Sequence, residues 1–122
     1  MRSLWQFLAL LAVHWVADFV LQTHWQAQNK SKNNEALVRH VGVYTGMLAL
    51  AVPFIFWPVV TFGPFLFVVF NGVLHLGTDY VTSRLSSRLY AKQDWHNFFV
   101  VIGFDQLIHQ ATLAWLMWAF LL

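Results

Sequence analysis

Apolar residues fall into four long runs, which are separated by short polar or turn-forming segments. The runs cover residues 3–22, 36–57, 62–82 and 96–122. Each has at least the length of about 20 residues that a helix needs to cross a bilayer, and the fourth is long enough to tilt or to project past the core. Because a bilayer core offers no water to unpaired backbone groups, each run is predicted to be helical. The pattern predicts an all-α fold, a polytopic membrane four-helix bundle made by a single transmembrane domain, residues 1–122.

Composition agrees with the pattern of runs. Hydrophobic residues make up 59% of the chain and charged residues only 10%, whereas a soluble domain carries about a quarter charged residues. The expected partner of most of the surface is therefore the lipid bilayer. The chain has no cysteine, which excludes disulfides and thiolate metal sites. A net charge of +2 is too small to suggest a surface that binds nucleic acid.

The basic residues are distributed unevenly between the two ends of the predicted helices. Five of the seven lie in the connections at residues 23–35 and 83–95, and Arg39 follows at the start of the second run. The connection between the second and third runs carries no charge. The positive-inside rule places the basic end in the cytoplasm, so both termini are expected outside, in a bacterial inner membrane.

The first run also allows a different interpretation. Arg2 followed by the apolar stretch Leu4–Val13 resembles a secretory signal peptide, which would be cleaved. However, no small-x-small cleavage site follows the stretch. The polar residues that come next recur later in the chain, which a discarded segment would not explain. The first run is therefore predicted to stay as a membrane span.

Histidine and aspartate recur in the runs at a spacing of four residues, which places both side chains on one helical face. Three runs carry such a pair, and the second run carries a histidine near its cytoplasmic end. With the predicted topology, most of these residues fall in the cytoplasmic half of the membrane. The residues are His14 and Asp18, His40, His75 and Asp79, and Asp105 and His109.

The first and third runs also resemble each other in sequence. Residues 13–20 read VHWVADFV and residues 74–81 read LHLGTDYV, an offset of 61 residues, half of the 122-residue chain. Both runs are predicted to cross the membrane in the same direction. The similarity raises the hypothesis that the bundle consists of two parallel repeats of two helices.

Aspartates inside a membrane require compensation. A single mid-membrane Asp costs roughly 2.5–3.5 kcal/mol on insertion scales, and three of them need neutralising partners. Imidazole and carboxylate ligands without thiolate suit zinc, manganese or iron. The sequence therefore predicts a site for one or two divalent ions. The predicted ligands are His14, Asp18, His40, His75, Asp79, Asp105 and His109.

Two other interpretations of the same residues stay open. The His–Asp pairs could form a structural polar core, in which each contact is worth less than about 1 kcal/mol. They could also form a path for protons or ions, since chains of intramembrane Asp and His serve that purpose. For His40 alone, a position at the membrane interface is a further alternative.

The sequence also provides candidate catalytic and substrate-binding residues. Asp18, Asp79 and Asp105 are the candidate catalytic residues, because a carboxylate that does not bind metal can act as a general base. Three further residues are candidates for substrate binding: Arg84, Arg88 and Gln22. The arginines would clamp a phosphate ester; their simpler role is to fix topology and contact lipid phosphates.

Several of these segments together resemble a known family. They are residues 14–22 (HWVADFVLQ), His40, residues 74–80 (LHLGTDY) with the basic stretch that follows, and residues 105–109 (DQLIH). Over nearly the whole chain they are similar to the bacterial and phage membrane family catalogued as domain of unknown function 3307. A looser likeness is to small membrane-bound metal-dependent hydrolases. The first resemblance implies a membrane protein and supplies no activity.

The function expected from these observations is a membrane-embedded metal-dependent hydrolase. Its substrate would be a lipid-linked or headgroup phosphoester at the cytoplasmic interface. One alternative is a metal-ion or proton transporter, and another is a non-catalytic membrane scaffold or phage accessory protein; the sequence leaves open whether catalysis occurs. A homo-oligomer is an open option, because Gly42, Gly46, Gly72 and Gly77 allow helices to approach closely within one chain or between chains.

Overall fold

The computed structural model describes residues 2–59 and 61–122. Met1 and Val60 belong to the predicted domain but lie outside the described residues. Within the described ranges the chain is helical and contains no strand, which confirms the predicted all-α fold. The elements are α1 (Arg2–Trp15), a π-helical turn (Val16–Val20), α2 (His24–Asn29), α3 (Asn34–Ile55), α4 (Gly63–Ala91) and α5 (Trp95–Phe120).

Four helical segments in the described part of the chain are long and apolar enough to cross a membrane. They correspond to the four predicted runs, and the protein is accordingly treated as a membrane protein. The segments are Ser3–Val20, Asn34–Ile55, Gly63–Ala91 and Trp95–Phe120.

The helix of the third span, α4, continues well past Thr82, where the span was predicted to end. Residues 83–91 contain no Gly or Pro, and their Arg and Leu are good helix formers, so α4 extends to Ala91. Gln93 then adopts a left-handed conformation with φ of 58°, which commonly ends a helix. The side chain of Asp94 accepts a hydrogen bond from the Asn97 N–H at 3.2 Å and starts α5.

The connection between the first two spans contains the short helix α2. Thr23 and Gln26 form a reciprocal capping box at its start. The Thr23 hydroxyl accepts from the Gln26 N–H at 3.2 Å, and the Gln26 side chain accepts from the Thr23 N–H at 3.0 Å. Gln26 is buried and α2 packs against α3, so this connection is folded over the helix ends.

Helix α4 packs most extensively against α5 and α3. At Gly72 a Cβ atom would lie only 2.7 Å from Thr45 Oγ1, so glycine permits the close approach of α4 to α3. Away from the polar connections, apolar side chains fill the bundle. This apolar core includes Leu10, Leu48, Val52, Phe56, Phe67, Leu113 and Leu116.

Large apolar side chains also cover much of the outer surface. Trp5, Phe54 and Trp57 are 70%, 84% and 75% exposed. A soluble monomer rarely shows apolar surface on this scale, whereas a bilayer accommodates it. The polar residues are instead concentrated inside the bundle, at the end that carries the polar connections.

Candidate metal centre

The first span changes its helical geometry beside the candidate site. The Leu21 N–H donates to the Val16 carbonyl at 2.9 Å, a bond across five residues that is typical of a π-helix. The turn is wider than an α-helical turn, so Asp18 does not keep the register that His14 sets in α1. Asp18 is buried and faces α3 and α4.

The Asp18 carboxylate contacts all three of the other spans. Its Oδ1 lies 2.9 Å from His40 Nε2 and 3.3 Å from His75 Nε2. Its Oδ2 accepts a hydrogen bond from the Gln106 side-chain amide at 3.2 Å. Asp18 thereby links α3, α4 and α5 to the first span.

The Asp79 carboxylate is almost fully buried and has different neighbours at its two oxygens. Oδ2 lies 2.8 Å from Lys30 Nζ, 3.3 Å from His40 Nε2 and 3.7 Å from His75 Nε2. Oδ1 lies 3.1 Å from His109 Nε2. Asp79 therefore stands between the histidines of α3 and α4 on one side and the histidine of α5 on the other.

The third carboxylate, Asp105, is the most accessible of the three at 15% exposed. Its Oδ1 lies 3.4 Å from His109 Nε2 and accepts a hydrogen bond from the Thr82 hydroxyl. Its Oδ2 accepts from the Gln106 amide at 3.1 Å. These bonds fix both oxygens of Asp105 beside His109.

The His75 ring is held by stacking on both faces. Its centroid is 3.9 Å from the Tyr44 ring and 4.1 Å from the His109 ring, with interplanar angles of 23° and 20°. The side chain is buried, yet within the described residues neither of its ring nitrogens has a hydrogen-bond partner. An unsatisfied buried polar atom costs about 1–3 kcal/mol. A cation between His75 Nε2 and the two nearest aspartates would use this free ligand atom.

The residues fall into two groups that could each hold a metal ion, with the ligand atoms of a group within 4.8 Å of one another. The buried Asp/His cluster could thus bind metal, and its imidazole and carboxylate ligands are those that zinc, manganese and iron accept. The first group is Asp18, His40, His75 and Asp79; the second is Asp79, Asp105 and His109.

Six of the seven ligands predicted from the sequence belong to these groups. His14 lies beside them: its Nε2 is 3.2 Å from Gln106 Oε1 and 3.8 Å from Asp18 Oδ2. His40 is fully buried in the cluster rather than placed at an interface.

A cavity of about 650 Å³ opens beside the cluster. Asp18, Asp79 and Asp105 all line it, and so does Gln22, one of the three predicted substrate-binding residues. Lys30 and Lys32 also line the cavity, although the sequence did not predict that they lie at the site. The one sequence feature that indicated it is that their connection joins two spans that both carry cluster residues.

The two predicted substrate-binding arginines are not among the described residues that line this cavity. The Arg84 guanidinium donates to the Tyr80 carbonyl at 3.0 Å and to Asn34 Oδ1 at 2.8 Å, and it lies 3.7 Å from the centroid of the Tyr80 ring. Arg88 is exposed near the end of α4. Arg84 therefore ties α4 to the start of α3.

Fold and site together define a helical membrane protein whose buried histidines and aspartates could hold a metal ion. The chain belongs to the family described as protein of unknown function (DUF3307), whose model matches residues 6–121. This match confirms the family resemblance seen in the sequence. No curated protein and no solved structure matches the chain. The looser likeness to membrane-bound hydrolases accordingly gains no support from relatives.

Proposed function

We propose that this protein is a membrane-embedded metal-dependent hydrolase that acts on a lipid-linked or headgroup phosphoester. The observation that carries the proposal is the position of the metal-ligand cluster at the wall of a cavity that lysines also line. A purely structural polar core would have no need of the cavity. The enzyme would bind one or two ions of zinc, manganese or iron.

A bound divalent ion would lower the pKa of a water ligand towards neutrality and polarise the phosphoryl group. Asp18 and Asp79, 4% and 2% exposed, are suited to hold metal because histidines surround them. Asp105 reaches the cavity and is the most accessible carboxylate of the cluster. When a single ion occupies the first ligand group, Asp105 does not bind metal and is the preferred general base.

The lining of the cavity supports an anionic amphiphile as substrate. Lys30 and Lys32 supply positive charge, and Ser83, Ser86 and Ser87 supply hydroxyl groups. Apolar side chains form another part of the wall: Phe19, Phe98, Val101 and Ile102. The lysines would contact the phosphate, while the apolar wall would accommodate the lipid portion. Arg84 and Arg88, outside this lining, would instead contact lipid phosphates.

The alternative of a transporter requires a polar path to the opposite face of the membrane. Beyond the cluster the bundle is filled by apolar residues, among them Leu48, Phe67 and Leu113. This closed apolar core favours the hydrolase over the transporter. No specific observation favours a scaffold, which would be the remaining interpretation if no metal bound.

The proposed location is the bacterial inner membrane, with the cavity at the cytoplasmic face and both termini outside. The support is the concentration of basic residues in the connections beside the cavity. Because the chain has no cysteine, single substitutions report orientation directly. In intact cells, a membrane-impermeant maleimide should label Thr61→Cys and leave Lys32→Cys unlabelled. The reverse labelling would contradict the proposed orientation.

The test of the function begins with metal content. Tag-free protein in detergent is analysed by elemental mass spectrometry beside a His75→Ala, Asp79→Ala double variant. We expect stoichiometric zinc, manganese or iron in the unmodified protein and loss of that metal in the variant. The exposed His96, replaced by alanine, is the matched control and should retain the metal.

Hydrolysis is then assayed with lipid-linked phosphate monoesters and diesters in mixed micelles. Release of inorganic phosphate from the monoesters, or of a phosphomonoester and an alcohol from the diesters, by the metal-loaded protein and not by the double variant would support the hydrolase. Absence of metal from correctly folded protein, even after reconstitution, would rule out the proposal.

A further inference from the structure

The two candidate ligand groups share one residue, Asp79. Its Oδ2 faces His40 and His75, at 3.3 and 3.7 Å from their Nε2 atoms. Its Oδ1 faces His109 Nε2 at 3.1 Å. A carboxylate with its two oxygens directed at two separate sets of histidines has the arrangement of a bridging ligand.

We propose that the cluster binds two divalent cations side by side, with the Asp79 carboxylate as the bridge between them. The inference rests on the proposed metal-binding function and specifies its centre. Asp18, His40 and His75 would complete the first ion's ligands. Asp105 and His109 would complete those of the second. Ions in such two-metal sites lie about 3.5–4 Å apart and together stabilise the attacking and leaving oxygens of a displacement.

The second position is supported by hydrogen bonds as well as by its ligands. Thr82 donates to one oxygen of Asp105, and the Gln106 amide donates to the other. The His109 ring stacks on the His75 ring, with 4.1 Å between the two ring centroids. Partners of this kind orient metal ligands and contribute to affinity. The α5 ligands are therefore held by side chains of α4 and α5.

Charge balance provides the second argument for two ions. Asp18, Asp79 and Asp105 contribute three negative charges, and Lys30, whose Nζ is 2.8 Å from Asp79, contributes one positive charge. With neutral imidazoles the net charge is −2, which one divalent ion brings to zero. A neutral site attracts an anionic ester weakly.

The second ion would bring the centre to a net charge of +2. This value balances the dianion of a phosphate monoester, and the attraction is poorly screened inside the protein. The ester phosphate would then lie against both ions, within reach of the lysines of the cavity. A two-ion centre consequently assigns phosphate monoesters as the preferred substrate class.

Manganese(II) is the probe for this inference, because two bridged Mn(II) ions give an exchange-coupled electron paramagnetic resonance spectrum. Tag-free, chelator-treated full-length protein is titrated with Mn(II), and bound metal is measured by equilibrium dialysis. The unmodified protein should bind two equivalents and give the coupled spectrum.

Variants separate the two positions. Asp105→Asn and His109→Gln should each bind a single equivalent with an uncoupled spectrum, because only the second position loses a ligand. Asp79→Asn should abolish the coupled spectrum. His96→Ala should behave like the unmodified protein. Circular dichroism and gel filtration verify the fold, and His109→Gln replaces Asp105→Asn where the latter does not fold.

The possible results are distinguishable. A single equivalent in the unmodified protein would overturn the two-ion centre and leave the proposed hydrolase standing. Two equivalents without exchange coupling would overturn the bridge by Asp79. Failure to bind any Mn(II), zinc or iron would overturn both proposals.

Discussion

The His–Asp pairs of the first and third spans have the same spacing but different surroundings. In α4 the helix is regular, and His75 and Asp79 both belong to the first ligand group. In the first span the α-helix ends at Trp15 and a π-helical turn carries Asp18. Asp18 joins that group, whereas His14 contacts Gln106 instead. Equal spacing therefore predicts a shared helical face, but it does not predict a shared partner.

The largest difference between the two pairs is expected at their histidines. His75→Ala removes a ligand of the first group and opens the stack between Tyr44 and His109. We expect zinc affinity to fall by more than the factor of about 100 that loss of an outer partner costs at most. His14→Ala removes only an outer contact, so affinity should fall about 10- to 100-fold.

Competition with a zinc-binding indicator dye measures both affinities. His24→Ala, in an exposed position outside the cluster, is the control. Equal losses for His14→Ala and His75→Ala would mean that both histidines bind the metal.

The second prediction removes the π-helical turn itself. Deleting the exposed Phe19 would let the backbone bond between Leu21 and Val16 close across four residues, as in an α-helix. Asp18 would then adopt the register that Asp79 has relative to His75, and would turn from His40 towards His14. We expect about a 100-fold loss of metal affinity, less than for His75→Ala, because the candidate ligand Asp18 is turned away rather than removed.

Phe19→Ala keeps the chain length and serves as the matched control, with affinity close to that of the unmodified protein. Unchanged affinity in the deletion variant, with the helical content preserved, would show that the π-helical turn does not position Asp18.

The sequence predicted the four spans because apolar composition and helix length are direct consequences of the bilayer. The six residues of the two candidate ligand groups were all among the ligands predicted from the sequence, since buried Asp and His inside a membrane need each other or a metal. The π-helical turn could not be predicted, because residues 16–20 contain no Pro or Gly to mark it. The hypothesis of two parallel repeats stays a prediction.

Lys30 and the end of α4 were missed for different reasons. Lys30 lies in a polar connection, and only the folding of α2 over the helix ends brings its Nζ to Asp79. Residues 83–91 are too polar for a membrane span, so the predicted third run ends at Thr82. Nothing in these residues interrupts a helix, and α4 continues to Ala91. Hydropathy reports where the membrane ends, whereas backbone hydrogen bonding decides where the helix ends.

The smallest expected effect concerns Gln106, which lies within hydrogen-bond distance of His14. His75, the corresponding histidine of α4, has no such partner among the described residues. Gln106 Oε1 lies 3.2 Å from His14 Nε2, and the Gln106 amide donates to Asp18 at 3.2 Å and to Asp105 at 3.1 Å. Gln106→Leu keeps the volume and removes these bonds. Because both aspartates keep their histidine neighbours, metal affinity should fall only about tenfold, the lower end for an outer partner.

Gln110→Leu, one turn further along α5 at an exposed position, is the matched control and should leave metal affinity unchanged.

Combining Gln106→Leu with His14→Ala distinguishes two ways in which His14 could act on the site. If His14 acts only through Gln106, adding His14→Ala to Gln106→Leu should cause no further loss of metal affinity. Additive losses would instead mean that His14 acts on Asp18 directly across the 3.8 Å between them, so that the two pairs differ less than their geometry indicates.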